Sequence, residues 1–466
     1  ASGFGAKLAE FAGVSTTPHH KVYNLGYTYV ASFNNDQSND THSDRFLPIN
    51  YGIISYQKTA AQMDYLYEYL GEELFDQCMS AYFTKWKFKH PQSEDLEKTF
   101  EETSDKNLDW MFEDFLKTTK KLDYKIQQVK KSDDAFRVKV KNQGEISGPV
   151  SFSSLDGQEE LVRSWIEPFE KTKEVTVRGE IADRVKLFHD QNIPDLRPQN
   201  DISKTSGLFK RMEPLKLKLL FEIDDPERST IFWVPTLGAN TTDKFMLGAA
   251  FYNEVIPNRK FRYILNPMYS FGLNKHAGSY DLSYEWLPVK NFRSVSLGME
   301  IRDFADMQKV APRLVVDFKP KDPTRKPHQK IIAKHYFMFS DLPQYKGEYQ
   351  IGKLSHELSN GNALSAYSVS STVTSDYDEF TTLEVRGNFT RSYDRGRYFR
   401  IEGYLGGFLQ KSSSLFPVYR LNFSGSPDFT MDQTFFDRAA ISDNMRYLTD
   451  QTDLLQGGMR GNINVS

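Results

Sequence analysis

The sequence predicts a multidomain α + β chain: a helical block over residues 1–121, a small β-sandwich over 122–191, a linker over 192–207 and a large antiparallel β-barrel over 208–466. Three observations predict it. Apolar residues recur every three or four positions up to about Leu116, as buried helix faces require. Beyond Leu122 the period falls to two. From about 208 onward the alternating runs lengthen and carry aromatic residues near their ends.

Residues 1–50 open with a short helix around 6–11 and pass through the polar stretch 34–43, which reads as surface loop. His42, Asp44 and Arg45 are expected to be solvated there, or to line a cleft. Between 53 and 70, Ile53, Tyr56, Ala60, Met63, Leu66, Tyr69 and Leu70 share one helical face, which is expected to be the buried one. On spacing alone Tyr56 is a core aromatic. Gly71 ends this helix, and Leu74, Phe75, Cys78, Met79, Tyr82 and Trp86 form a second, antiparallel to it, before Pro91 forces a break. Ser93 stands where an N-cap belongs, with Glu94 and Asp95 in the first turn and Leu96 and Phe100 inward. A fourth helix follows from Leu108, Met111, Phe112, Phe115 and Leu116, and ends at the basic pair Lys120 and Lys121.

Phe136, Val138 and Val140 then alternate with Arg137, Lys139 and Lys141, and Asn142-Gln143-Gly144 makes a turn before Val150 and Phe152. Similar alternation at Val175 and Val177 and at Val185 and Leu187 completes a small antiparallel sandwich. Pro194 and Pro198 mark the linker. A third region starts with the alternation of Leu215, Leu217, Leu219, Phe221 and Ile223. The run 261–273 is expected to be the longest strand, with Tyr263, Leu265, Tyr269 and Phe271 on one face and Arg262 and Ser270 on the other. Such strands suit a membrane barrel, lipid on one face and a polar lumen on the other, with Arg386, Arg400 and Glu402 facing the lumen. The same alternation also suits a large soluble β-structure.

Lysine plus arginine number 59 against 62 aspartate plus glutamate, and no basic run interleaves with aromatics, which argues against a nucleic-acid partner. The single cysteine, Cys78, precludes an internal disulfide and reads as a small buried hydrophobe. No run approaches the ~18 apolar residues of a membrane helix, and no signal peptide is visible. The start without methionine and the strand-like GNINVS at the end read as cut ends, so a fragment is expected.

The order of motifs between 45 and 126 carries a resemblance. Tyr56-x-Lys58 opens a helix, followed by LGEELFD from Leu70, the YFTKWKFKHP loop up to Pro91, Glu94-Asp95-Leu96 and LDWMFEDF from Leu108. This segment resembles the closing part of the thermolysin-like catalytic domain of aminopeptidase N-like zinc metallopeptidases, peptidase family M1, a gluzincin family. The resemblance implies a metallopeptidase that hydrolyses peptides, with zinc as cofactor and Tyr56 donating a hydrogen bond to the oxyanion of the tetrahedral intermediate. The family's Y-E-K-G stands here as Tyr56-Gln57-Lys58-Thr59. No H-E-x-x-H is present: His356-Glu357 lacks a second histidine, and His19-His20 are adjacent rather than one turn apart. The zinc ligands are therefore expected upstream of this chain, and no metal-binding residue is assigned within it. The run from Trp233 through Phe271 is similar to the outer-membrane-type barrel fused to some bacterial aminopeptidases, which implies an incomplete barrel in a bacterial outer membrane. A non-catalytic outer-membrane barrel protein with a helical partner-binding module is the alternative.

Overall fold

In the computed structural model the described residues are 19–132, 135–157, 159–178, 182–207, 210, 214–223, 225, 227–240, 242–253, 259–286, 292–320, 327–341, 347–362, 364–394, 397–412, 430, 432 and 458–462. The helix expected at 6–11 lies outside them. They form a mixed α/β structure, mostly sheet with few helices, in two compact units. Of the described residues, the first holds those up to 216 with those in 221–230, and the second holds those in 217–220 and from 231 onward.

In the first unit, helix α1 (His19–Ser32) precedes α2 (Pro48–Gly52), which runs on through a π-helical turn, Ile53–Lys58, into α3 (Thr59–Leu70). The sequence reading missed α1, whose histidines, β-branched residues and Gly26 weaken a helical signature. Gly26 has a packing reason, because a Cβ there would run into the Gln57 side chain. Gly71 ends α3 as expected, with φ +77° that a side chain disfavours. Helices α4 (Glu72–Trp86) and α5 (Ser93–Ser104) follow, and Cys78 on α4 is buried beneath Phe100 of α5, as expected of a small hydrophobe. The α5 cap lies one residue earlier than expected: Gln92, not Ser93, is the N-cap, and its N–H donates to the Asp95 carboxylate at 2.9 Å. The fourth helix is a second π-helical segment, Trp110–Leu116, with Trp110, Met111, Phe112 and Phe115 buried.

Helices and small sheets share one core. Strands β1 (Tyr124–Ser132), β2 (Ala135–Asn142) and β5 (Thr172–Arg178) form one antiparallel sheet. Strands β3 (Val150–Asp156), β4 (Glu159–Ile166), β6 (Arg184–Leu187) and β7 (Ile202–Lys204) form another. Tyr65 on α3 packs against Trp110 at 4.6 Å and Phe188 at 6.1 Å, and its hydroxyl donates to the Pro149 carbonyl. The expected linker 192–207 is instead part of this unit. Ile193 and Leu196 are in the core, the buried Asp195 accepts from the N–H groups of Tyr124 (2.8 Å) and Arg197 (2.7 Å), and β7 adds a strand. Pro194 and Pro198 punctuate a packed segment.

The second unit is built on an antiparallel sheet of thirteen described strands in sequential order, from β8 (Leu215–Leu219) to β20 (Gly458–Asn462). Among the described residues its two edge strands do not pair with each other, so an antiparallel sheet stands where a closed barrel was expected. The run from Leu215 is strand only to Leu219, and the run from Phe261 ends at Ser270; the longest strands are β16 (Gly347–Gly361), β18 (Phe380–Asp394) and β19 (Arg397–Lys411). The register puts Leu297, Leu314, Ala333, Leu354, Val373 and Leu383 in one row across six strands. Most of this apolar face is exposed: Leu297 is 52% accessible, and Leu237, Leu247, Tyr269, Leu314, Leu354 and Leu405 are exposed too. The opposite face is the buried one and is mixed: it carries Asn266, Ser270, Glu300, Lys309 and Thr374 together with the apolar Met268, Met307, Met338 and Ile351. Lys309 is 0% accessible and lies 3.0 Å from Glu300 and 3.2 Å from Asp432, which also accepts from Tyr336 at 2.6 Å.

Candidate functional site

The helix bearing Tyr56 presents a different face from the one its periodicity suggests. Ile54, Lys58, Ala61, Gln62, Tyr65 and Leu66 are buried, while Tyr56 is 64% exposed and Ala60 is exposed. The buried stripe is offset by about one residue because two of its members are polar, and a hydrophobicity pattern skips them. Gln62 donates to the Phe115 carbonyl at 2.9 Å, and Lys58 donates to the Thr118 carbonyl at 3.3 Å. Each caps the loosened backbone around the second π-helical segment. The core-aromatic reading of Tyr56 is thereby overturned.

The wide turn at Ile53–Lys58 has identifiable causes. The Ile54 carbonyl accepts from the Thr59 hydroxyl (3.2 Å) and the Asn39 amide (3.2 Å), and Asn39 also donates to Thr59 Oγ1 at 2.8 Å. The Thr59 hydroxyl thus supplies one of the bonds that hold the wide turn. Residues 34–43 are not simply surface loop, since Asn34, Asp36 and Gln37 are buried. Gln37 accepts from Leu47 N–H (2.8 Å) and Asn50 (3.0 Å) and donates to the Arg45 carbonyl (2.8 Å), which fixes the entry to the Tyr56 helix. His42 and Asp44 lie exposed as a 2.7 Å pair, as a solvated loop would have them.

On the surface, Tyr56 meets Tyr51 edge-on at 6.3 Å, and Tyr51 meets Phe46 at 6.1 Å. Beneath it, the Lys58 ammonium lies 5.6 Å from the Tyr27 ring centroid and 5.4 Å from that of Phe115. Burial lowers the Lys58 pKa to about 7, against the opposing pull of Asp36. The Asp36 carboxylate itself is 2.5 Å from buried Lys121. An exposed phenol is thus held over a rigid, charge-bearing core. A neutral hydroxyl so placed can donate to a developing oxyanion.

The residues present do not fit a catalytic zinc. His356 and Glu357 are consecutive on β16 and point to opposite faces, so they cannot share an ion. Among the described residues the one convergent set is Glu97, Glu101 and Asp109, without histidine or cysteine. Glu101 accepts from Leu108 N–H at 2.8 Å and Glu97 lies 3.9 Å from Lys117, which makes this group part of a helix junction.

No curated protein matches the chain significantly. Among solved structures, the chain is similar to Legionella pneumophila aminopeptidase A, determined in complex with aspartic acid, at 15% identity and a TM-score of 0.27. That similarity covers 32% of this chain and spans only 18% of the aminopeptidase. Residues 30–115, the segment that contains Tyr56, match the family model described as the Peptidase family M1 domain.

Proposed function

We propose that the chain forms the substrate-facing close of an M1-type aminopeptidase catalytic domain, with Tyr56 as oxyanion donor, tethered to a membrane-inserted β-barrel. One observation carries the catalytic reading: within the matched segment 30–115, Tyr56 is exposed at a π-helical turn, a distortion common at functional sites. Peptide is the substrate class, and the bond between the Tyr56 hydroxyl and the oxyanion strengthens as charge develops in the transition state. The family's zinc dependence then requires ligands from residues outside this sequence. In the complete enzyme, Tyr56→Phe should lower kcat by roughly 10²–10³ with little change in KM. A change in KM alone, or no change, would mean that the tyrosine only packs. Stoichiometric zinc in the purified 466-residue chain would refute the outside-ligand requirement.

The membrane reading is supported by the exposed apolar face of the thirteen-stranded sheet and by the charged and polar side chains, among them Glu300 and Lys309, buried on the other. Aromatic residues stand at the strand ends, with Phe261, Tyr284 and Trp286 toward one rim and Tyr269, His276 and Tyr377 toward the other. Among the described residues no helix is long and apolar enough to cross a membrane, which leaves strands out of account. The location that follows is the outer membrane of a bacterial envelope. In a Cys78→Ala background, Leu265→Cys should react with a lipid-phase label. A monodisperse, detergent-free protein with residue 265 unlabelled would sink this part. The second reading, a non-catalytic barrel protein whose helices bind a partner, is favoured by the one convergent set among the described residues, Glu97, Glu101 and Asp109, which holds neither histidine nor cysteine.

A further inference from the structure

The buried face of the large sheet opens into a small pocket whose lining is polar. Ser368 and Ser370 on β17 (Ser365–Ser375), Arg386 and Asn388 on β18, and Glu402 and Tyr404 on β19 enclose about 300 Å³ together with Gly387 and Gly403. The register orders this lining into two rows. Ser370, Arg386 and Tyr404 lie directly opposite one another across the three strands, and two residues along, Ser368, Asn388 and Glu402 do the same. Residues two apart on a strand share a face at a spacing of about 6.7 Å, so both rows point to the side on which Thr374 and Thr382 are buried. Gly387 and Gly403 meet between the rows, and the floor there is backbone.

The two rows carry opposite charge. In the first, the Arg386 guanidinium lies over the Tyr404 ring at 4.6 Å and donates to Glu384 at 3.0 Å, which fixes the plane of its fork of N–H groups. The Ser370 hydroxyl stands on the neighbouring strand, so this row offers donors to one carboxylate. In the second row, Asn388 donates its amide N–H to Ser368 Oγ, which leaves its carbonyl oxygen as an acceptor. Glu402 binds Arg400 through Oε1, and its Oε2 adds an acceptor on the strand next to Asn388. Acceptors with negative charge suit an ammonium.

A donor row beside an acceptor row selects a zwitterion, and the spacing selects its length. From ammonium nitrogen to carboxylate carbon an α-amino acid measures about 2.5 Å across two covalent bonds. A charge-assisted hydrogen bond of about 2.8 Å at each end extends the reach to about 8 Å, near the separation of the rows. One further residue adds up to ~3.6 Å and overshoots. The volume agrees, since about 300 Å³ is room for on the order of ten groups of about 30 Å³.

We propose that this pocket binds one free α-amino acid, its ammonium held by Glu402 and Asn388 and its carboxylate by Arg386 and Ser370. The site lies on the face opposite the exposed apolar one and stands independently of the catalytic and membrane readings.

The test uses the full chain in mild detergent, with L-alanine as the probe and binding read by titration calorimetry. L-Alanine should bind with a Kd below about 1 mM, and propionate (no ammonium), L-alaninamide (no carboxylate) and dialanine (one residue longer) each at least about tenfold more weakly. Glu402→Gln should weaken L-alanine at least about tenfold and leave propionate unchanged. Ser370→Glu, whose own carboxylate would occupy the place beside Arg386, should abolish binding. No binding of L-alanine, equal binding of the four ligands, or wild-type affinity in Glu402→Gln would overturn the site. The ranking of the four ligands on the wild type decides the matter even where a variant fails to fold.

Discussion

The two units differ in what they leave exposed, although each buries apolar clusters. In the first, Phe100, Phe112, Phe115, Leu66 and Ile54 are buried and charges such as Glu72, Glu73 and Lys87 point to solvent. In the second, Glu300, Lys309 and Asn266 are buried while Leu297, Leu354 and Leu405 are exposed. A water-soluble domain loses free energy by exposing apolar area, roughly 25 cal/mol per Å², whereas in lipid the same exposure is neutral and buried polar groups need one another. The contrast teaches that alternation identifies a strand but not its solvent.

The comparison can be broken at several points. The largest effect is expected in the first unit, where Phe115→Ala opens a cavity beside Tyr27 and Lys58 and should cost about 3–5 kcal/mol in denaturant unfolding. A loss under ~1 kcal/mol would mean that this core is not close-packed. Next, Leu297→Arg on the apolar face should cost up to ~2–4 kcal/mol when folding is measured in lipid, while a charge on the polar face placed opposite Arg386, Ser370→Glu, in an open pocket of about 300 Å³, should be mild. Equal costs would remove the distinction between the faces. Ser270 is a poor control, being fully buried and bonded to the Asp243 carbonyl at 3.2 Å.

Lys58 sharpens the comparison, because it is a polar residue in an apolar core. Its folded pKa of about 7 lies below the ordinary lysine value of 10.5, so between those values the unfolded chain holds the extra proton. Stability of the first unit should therefore rise with pH through that window, by at least about 1.4 kcal/mol, and be independent of this group below it. Lys58→Met should flatten the rise; an unchanged profile would assign it to other groups. The smallest stability effect, within ±0.5 kcal/mol, is expected for Tyr56→Phe, because the exposed hydroxyl supports no packing.

Several elements were legible from local chemistry alone. Gly71 as a helix end, Cys78 as a buried hydrophobe and the Leu108–Phe115 stripe follow from spacing and backbone preference, which act over a few residues. The facing of residues 53–70 was not legible, because Lys58 and Gln62 are held inside by carbonyls some sixty and fifty-three positions away. Nor was the packing of 192–207, whose prolines look like a linker until Asp195 is seen to cap β1.

By itself the sequence determined where helix gives way to strand, which faces of the long strands are apolar, and that the segment around Tyr56 is similar to an M1 peptidase domain. Only the tertiary structure decided that Tyr56 is exposed rather than buried and that the face of the large sheet holding Glu300 and Lys309 is the buried one. The physical reason is range. Periodicity and turn chemistry are set by neighbours in the chain, whereas burial depends on partners brought together from distant positions, and a one-residue rotation leaves the period unchanged.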